Sequence, residues 1–437
     1  MMSSKGLEKT LKYRWLVWGV MVVSYALVFF HSFSMGVVKD HLIKDFALTE
    51  STFVSIGNVY FVLYLLMQAP TGILVDTLGS RWTATLGTLI AAFGILIFSF
   101  SNTIALLYIG RSLVGLGTAV IFVSIIKIQS AWFRENEFGT ITGWTCFIGV
   151  MGGAIAQTPL ALMVEALGWR WSFRLIGIVS VVIAGLIYLI ARNRPSELGL
   201  QEIHDHVLNE KPSVKEIFIG LFKVFINPRT WPLFFMYAAF YGSYVVITGY
   251  YGTSFVVEAY GFTLIDASSY FIAVIIGAAL GSIFVGTLSD KMASRKKPLI
   301  MVGALYMATW GSMYLFTKTL PPAWTLWPLL FLLGFASCAY VISWPAVKEV
   351  NDPKYVGVAV AVANIGGFFG TIVIPPIVAR VISNNAGILA YQKSFFWVFV
   401  ITIIGFGASL FTKETGCRNI FEMKGNRHES KSRSKAM

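Results

Sequence analysis

The chain has 437 residues, of which 56% are hydrophobic and 13% are charged, and its formal net charge is +13. Because soluble domains carry about 25% charged residues, this composition excludes a soluble globular protein and indicates a chain solvated by lipid. The three cysteines cannot form a disulfide framework in the outer loops and show no metal-ligand spacing. We therefore expect a membrane protein that needs no metal and no cofactor.

The predicted elements are membrane-spanning helices. A bilayer core about 30 Å thick requires about 20 apolar residues per helix. Lipid-facing backbone groups must be paired within their own segment, and the alternating pattern of a barrel is absent, so the fold class is an all-α membrane protein with twelve transmembrane helices. In chain order the twelve segments are 15–38, 52–74, 82–101, 104–130, 138–164, 172–191, 230–257, 267–289, 298–317, 324–347, 355–380 and 391–411.

The basic residues predict the orientation of these helices. With the N-terminus inside, the cytoplasmic segments hold 26 Lys and Arg residues and the external loops hold 7. This asymmetry places both termini in the cytoplasm. The same residues face anionic headgroups and account for the positive net charge, and no nucleic-acid module or aromatic interleaving accompanies them. We expect membrane lipids as partners, and no nucleic acid.

One segment of the chain is repeated 214 residues later. Gly72–Arg81 (GILVDTLGSR) recurs as Gly286–Arg295 (GTLSDKMASR), and residues 46–49 recur at 260–263 with the same offset. Internal repeats in an apolar chain are typical of transporters built from two halves. The predicted domains are six-helix bundles at 1–191 and 230–412, a cytoplasmic linker at 192–229 and a disordered tail at 413–437.

The repeated segment also resembles a known family. Gly72-x-Leu-x-Asp76-x-x-Gly79-x-Arg81 resembles the G-x-L-x-D-x-x-G-R-K-R loop of the major facilitator superfamily, although Ser80 and Trp82 stand where more basic residues are usual. Arg111–Gly117 (RSLVGLG) resembles the family's R-x-x-x-G-x-G element, and Gly168–Phe173 (GWRWSF) is a common form in its bacterial members. The branch it most resembles holds sugar-phosphate permeases and organic-anion transporters.

The resemblance implies a monomeric secondary transporter that works by alternating access, and the repeated loops would form a cytoplasmic latch that breaks in one state. Glycine permits close helix approach, and an aspartate at a helix end can hold a cationic partner. The latch residues implied are Gly72, Asp76, Arg81, Gly286, Asp290 and Arg295.

Ionisable residues within the spans are candidates for the transport site, because they are costly to bury in lipid. Arg111 lies about 10 Å deep in its helix, where it either binds substrate or holds helix carbonyls. Lys127 either contacts substrate or extends to the headgroups. His31 either carries a coupling proton or is a packing residue.

No Asp or Glu falls in the middle of a predicted span, so the cavity is expected to be electropositive and to suit an anionic or zwitterionic substrate. Organophosphate antiporters, which resemble this chain in helix one, hold phosphate with two arginines. Here Ser32 follows His31, and helix seven has no arginine. A single arginine suits a carboxylate, which it can bind bidentately.

Aromatic and amide side chains on helices one, two, seven, ten and eleven complete the predicted cavity. Tyr237, Tyr241 and Tyr244 share one face of helix seven, at a depth where transporters place their sites. Each of these residues is otherwise explained by packing. The predicted substrate-binding set is Arg111, Lys127, Tyr25, Tyr64, Gln68, Tyr241, Tyr244, Tyr340, Trp344 and Asn364, with Asn58, Tyr60 and Tyr237 beside it.

We therefore predict a transporter of a small organic anion that works by proton symport in the bacterial inner membrane; no catalytic constellation indicates an enzyme. Two alternatives remain open. The first is export of a siderophore or drug-like compound by proton antiport. The second is a non-transporting nutrient sensor, although sensors usually add a long cytoplasmic domain and this tail is short.

Overall fold

The computed structural model describes residues 4–203 and 214–421, and within them all regular structure is helical. The prediction of an all-α membrane protein is therefore confirmed. The described residues form two compact units by their contacts: unit 1 comprises 4–203, 248–257 and 261–275, and unit 2 comprises 214–247, 258–260 and 276–421. The domain boundaries drawn from the sequence stay a prediction.

The first half of the chain forms nine helices. They are α1 Ser4–Phe33, α2 Met35–Phe46, α3 Glu50–Leu66, α4 Gln68–Thr77, α5 Gly79–Ser99, α6 Ile104–Ala119, α7 Ile121–Trp132, α8 Glu135–Ile155 and α9 Thr158–Ile190. Within unit 1, α5 packs against α6 and α9, and α1 packs against α8.

The second half forms nine more helices, interrupted by short 3-10 turns and by one π-helix at Val246–Tyr251. They are α10 Val214–Ile226, α11 Trp231–Val245, α12 Gly252–Tyr260, α13 Leu264–Lys291, α14 Lys296–Thr319, α15 Leu326–Ser337, α16 Ser343–Val350, α17 Val356–Ser383 and α18 Gly387–Leu410. Within unit 2, α11 packs against α17 and α14 packs against α18.

Ten stretches among the described residues are long and apolar enough to cross a membrane. One of them, Ile141–Ile190, covers 50 residues and contains two predicted spans. The shorter apolar helix Glu50–Leu66 corresponds to another predicted span. If the 50-residue stretch is counted as two spans and Glu50–Leu66 is added, the described helices give the twelve spans expected from hydropathy.

Glycines set the closest helix contacts. A Cβ on Gly152 of α8 would lie 2.0 Å from the Ala26 carbonyl oxygen of α1, and a Cβ on Gly370 of α17 would lie 1.9 Å from the Ala238 oxygen of α11. No larger residue fits at either place. Because lipid removes the hydrophobic drive between helices, such close backbone packing is a main source of helix association in membranes.

Residues 165–171 connect the fifth and sixth predicted spans. The chain turns at Gly168, whose φ of 76° is a conformation that glycine adopts without strain. The following residues are held by Asp45 at the end of α2, which accepts hydrogen bonds from Trp169 Nε1 (2.9 Å) and Arg170 Nη1 (2.5 Å). The hydrogen bond from Trp169, together with Arg170, lowers the pKa of Asp45 despite its partial burial.

Candidate functional site

Arg111 of α6 is a buried cation with unused hydrogen-bond donors. Its side chain is 1% exposed, and its Nη1 donates to the His31 carbonyl oxygen at 3.1 Å. Its Nε and Nη2 have no hydrogen-bond partner, and no carboxylate of the described residues pairs with it. A buried donor left unpaired costs about 1–3 kcal/mol, a cost that an incoming acceptor would remove.

Glycine explains how a guanidinium comes to be enclosed at this depth. A Cβ on Gly115 would lie 2.6 Å from the Tyr60 carbonyl oxygen, so α3 approaches α6 closely. The Tyr60 ring then lies 4.9 Å from Arg111 Cζ, a cation–π contact. The Tyr60 hydroxyl forms a hydrogen bond with Ser32 Oγ at 3.0 Å and donates to the Val28 carbonyl oxygen at 3.2 Å.

His31 lies beside this cation and is entirely buried. Neither of its ring nitrogens has a hydrogen-bond partner. A packing histidine usually satisfies at least one nitrogen, because buried polar groups are almost always paired. Four buried nitrogen atoms of the His31 and Arg111 side chains therefore have no hydrogen-bond partner.

Tyr250 and Asn58 form a second buried polar contact within unit 1. The Tyr250 hydroxyl donates to Asn58 Oδ1 at 2.8 Å, and a Cβ on Gly57 would lie 2.6 Å from the same hydroxyl. Gly57 therefore provides the room that the tyrosine occupies. Nearby in the chain, Thr248 accepts a hydrogen bond from Gln157 Nε2 at 3.3 Å, while the buried Gln157 Oε1 has no partner.

The other residues predicted in this half have packing or backbone contacts. Lys127 Nζ donates to the Val75 carbonyl oxygen of α4 at 3.1 Å. The Tyr25 ring stacks on Phe122 with centroids 5.1 Å apart, and Tyr64 lies 6.1 Å from Tyr60. Gln68 Nε2 makes a long contact to the Tyr64 oxygen.

The aromatic residues predicted in the second half form one cluster in unit 2. Tyr237 of α11 stacks on Tyr340 with centroids 4.7 Å apart and planes within 2°. Tyr241 lies 5.3 Å from Tyr340 and 6.2 Å from Tyr244. Trp344 lies 6.1 Å from Tyr340 and donates from Nε1 to Asn364 Oδ1 at 2.8 Å. These side chains are neighbours within unit 2, and their binding role stays a prediction.

The second repeated loop carries a network of charges centred on Arg295. Its Nη1 donates to Asp290 at 2.7 Å, and its Nη2 donates to Glu349 at 2.8 Å. Glu414, beyond the last helix, accepts from the Arg295 backbone amide at 3.0 Å and from the Ser294 hydroxyl. Gly286 leaves open space around its α-carbon.

The first repeated loop is held differently. Arg81 Nη2 donates to the Tyr188 carbonyl oxygen at 2.6 Å, and the Arg81 amide donates to Asn193 Oδ1 at 2.9 Å. Gly72 again faces open space. The Asp76 side chain lies outside the described residues, so its predicted role in the latch stays a prediction.

Three further residues of these sites were not singled out from the sequence: Tyr250, Glu349 and Glu414. Glu349 stands 214 residues after Glu135, so the repeat offset is a signal that could have identified these two glutamates as equivalent positions. Tyr250 lies six residues beyond Tyr244, the last tyrosine of the α11 face, and does not follow its spacing. Glu414 follows the last span, where hydropathy carries no signal.

Comparison with known families defines the class of protein. The family model described as Major Facilitator Superfamily matches residues 21–375. The chain therefore belongs to this superfamily, and it is a multi-pass membrane transporter and not an enzyme.

Individual relatives agree with this class. The probable sulfoacetate transporter SauU of Cupriavidus necator is 23% identical over 422 residues, which cover 93% of this chain and 95% of that protein. A probable hexose phosphate transport protein of Chlamydia trachomatis is 22% identical over 392 residues, covering 83% and 84%. Among solved structures, a bacterial homologue of the human lysosomal transporter Spinster has a TM-score of 0.71 at 16% identity, covering 91% of this chain and 97% of that one.

Proposed function

We propose that this protein moves a small organic anion of the carboxylate type across the bacterial inner membrane, by alternating access and together with protons. The main support for the proposal is that Arg111 is a buried cation whose Nε and Nη2 lack hydrogen-bond partners. These two donors have the fork geometry that binds a carboxylate bidentately. The two relatives described above are named for anions, a sulfonated acetate and hexose phosphates.

The number of cations favours a singly charged group. In unit 1 the buried Lys39 is already paired with Glu50, at 2.9 Å, and Lys127 is bonded to a backbone oxygen. Arg111 is thus a buried guanidinium of unit 1 that the described residues leave without a carboxylate partner. A carboxylate or sulfonate needs one such charge, whereas a divalent phosphate ester would keep uncompensated charge in a poorly solvated site.

The position of His31 beside Arg111 supports the proposed proton coupling. A proton on His31 places a second positive charge next to the buried guanidinium, which is unfavourable while the site is empty. An anion on Arg111 offsets that repulsion, so anion and proton each favour the binding of the other, and such coupling is reciprocal. Two ligands that bind together are carried together, which is symport.

The remaining expectations belong to the same proposal. The role of Tyr237, Tyr241, Tyr340, Trp344 and Asn364 as substrate-binding residues, which cluster within unit 2, stays a prediction. The Arg295 network would act as the latch of unit 2. The transporter would work as a monomer with both termini in the cytoplasm, as the distribution of basic residues indicates.

Uptake into proteoliposomes tests the proposal. With an inward proton gradient, we expect accumulation of radiolabelled short carboxylates or sulfonates, and at least tenfold less uptake by Arg111→Ala. Lys393→Gln, which removes an exposed cation, is the matched control and should transport normally. If wild-type protein accumulates cationic drugs and no anion, the proposal is wrong and proton-driven export replaces it.

A further inference from the structure

The helix α10, which precedes the seventh predicted span, has one buried face and one exposed face. Val224 is 1% exposed, and a Cβ on Gly220 would lie 2.5 Å from the Tyr355 ring. Lys223 Nζ lies 5.1 Å from the centroid of the same ring. Positions 220 and 224 are one helical turn apart, so they lie on one face, and this face is buried within unit 2.

The opposite face of α10 is apolar and exposed. Phe222 and Ile226 are 67% and 61% exposed, and Ile219 and Phe225 are 40% and 36% exposed. Residues 219, 222 and 226 follow the i, i+3, i+7 spacing of a single helical stripe. A stripe of large exposed apolar side chains on a helix indicates that another apolar surface, from protein or membrane, contacts it.

The position of α10 along the chain limits what can cover it. Four residues, 227–230, separate it from α11, which opens the span Trp231–Tyr260. The connection is fixed: Trp231 Nε1 donates to the Phe225 oxygen at 2.9 Å, and Asn227 Nδ2 donates to the Val350 oxygen at 2.9 Å. Four extended residues reach at most about 14 Å, so α10 stays within that distance of the start of a membrane span.

The neighbouring side chains resemble those found at a membrane surface. Trp231 belongs to the residue type that concentrates at headgroup depth. Phe235, one turn further along α11, is 48% exposed and continues the apolar surface of the span. Lys223 is exposed at the edge of the stripe, and Arg229 follows in the connection. An apolar stripe bordered by cations suits a bilayer surface that contains anionic lipid.

We propose that the stripe formed by Ile219, Phe222, Phe225 and Ile226 lies in the boundary between lipid headgroups and acyl chains. In this position α10 is an interfacial amphipathic helix that anchors the connection between the two repeats to the bilayer. The occupant of the stripe is lipid; a second copy of the chain and another protein are the competing outcomes.

Depth-dependent quenching tests this position. A bimane fluorophore is placed at Phe222→Cys in full-length protein whose Cys146, Cys338 and Cys417 are replaced by serine. The protein is reconstituted in phosphatidylethanolamine–phosphatidylglycerol vesicles that carry lipids brominated near the headgroup. We expect at least twofold more quenching at position 222 than at Ser196→Cys, an exposed position in the short 3-10 helix Pro195–Leu198, and quenching similar to that at Phe235→Cys.

Quenching at position 222 no greater than at position 196 would overturn the proposal. So would cross-linking of two chains through the thiol of Phe222→Cys with protection from brominated lipid, because a second copy would then cover the stripe. If the protein without its native cysteines does not fold, hydrogen exchange of the unmodified protein decides. Amides of 219–226 should exchange at least threefold more slowly in these vesicles than in detergent micelles without lipid, and equal rates in the two would contradict lipid contact.

Discussion

At the scale of single residues, the buried pair of Arg111 and His31 distinguishes this chain from a membrane protein whose polar groups serve packing alone. Arg111 uses one of its donors on the His31 carbonyl oxygen and leaves two unpaired. A purely structural arginine would direct those donors at helix carbonyls, as Arg81 does with the Tyr188 oxygen. The difference between these two arginines is the clearest local indication of a ligand.

His31→Gln should separate proton coupling from anion binding. Glutamine keeps a polar side chain of similar length but takes up no proton, so the proton gradient should no longer drive accumulation. We expect at least tenfold lower concentrative uptake, with anion exchange between loaded vesicles and medium kept within about threefold of the unmodified protein. His41→Gln, at an exposed position of α2, is the control. Normal accumulation by His31→Gln would exclude this histidine as the proton carrier.

At the scale of helices, hydropathy predicted the spans because burial in lipid imposes one clear requirement on composition. The breaks within spans were less visible: α6 ends at Ala119 and α7 begins at Ile121 within one apolar segment. A local change of helix geometry, such as the π-helix at Val246–Tyr251, leaves no mark in hydropathy. Contacts such as Lys127 with the Val75 oxygen depend on how helices pack, which sequence spacing alone does not give.

The contact between α1 and α8 can be tested through its glycine. In Gly152→Ala the new methyl group would meet the Ala26 oxygen at 2.0 Å, so the helices must separate. Overpacking of this kind costs about 1–3 kcal/mol, and we expect a lower thermal unfolding temperature in detergent. Gly143→Ala, on the same helix with nothing within 4 Å of its Cβ, should unfold like the parent. Equal unfolding temperatures for the two variants would show that α1 and α8 are not in close contact.

At the scale of the whole molecule, the repeat marked the positions of the predicted latch residues but not the side chains that meet them. Asp290 and Arg295 form an ion pair at 2.7 Å, and their role in a latch stays a prediction. Glu349 and Glu414 were missed, because a repeat shows which positions correspond and not which side chains meet. Residues 413–421 also hydrogen-bond to the end of α16, where the Ile420 amide donates to the Glu349 oxygen at 2.8 Å. The rest of the predicted tail, from 422, lies outside the described residues.

Glu414 makes this attachment dependent on pH. Burial raises the pKa of its carboxyl, but hydrogen bonds from Ser294 and from the backbone amides of Gly416, Arg295 and Lys296 outweigh this effect and lower the pKa to about 2. A lowered pKa stabilises the folded state fully above the ordinary value of 4.5, and the stabilisation is lost as pH falls from 4.5 towards 2.

Glu414→Gln should therefore lower the free energy of unfolding at pH 7 by about 1 kcal/mol, once solvent screening of this exposed group is allowed for. The difference in the free energy of unfolding between variant and parent should become smaller as the pH falls below 4.5. Thermal unfolding in detergent across this range measures it, with the exposed Glu165→Gln as control. A gap that is the same at pH 7 and pH 3 would show that the carboxylate is not the stabilising group.

In the proposed function, Arg111 binds the charged group of an organic anion. Thermal unfolding of the purified protein with a panel of carboxylates, sulfonates, phosphate esters and cationic drugs tests it most directly, because a ligand at 100 times its Kd stabilises the folded state by about 2.7 kcal/mol. We expect a carboxylate or sulfonate to raise the unfolding temperature of the unmodified protein and of Lys393→Gln, and to leave that of Arg111→Ala unchanged. Stabilisation by cations alone, or by an anion equally well in Arg111→Ala, would contradict it.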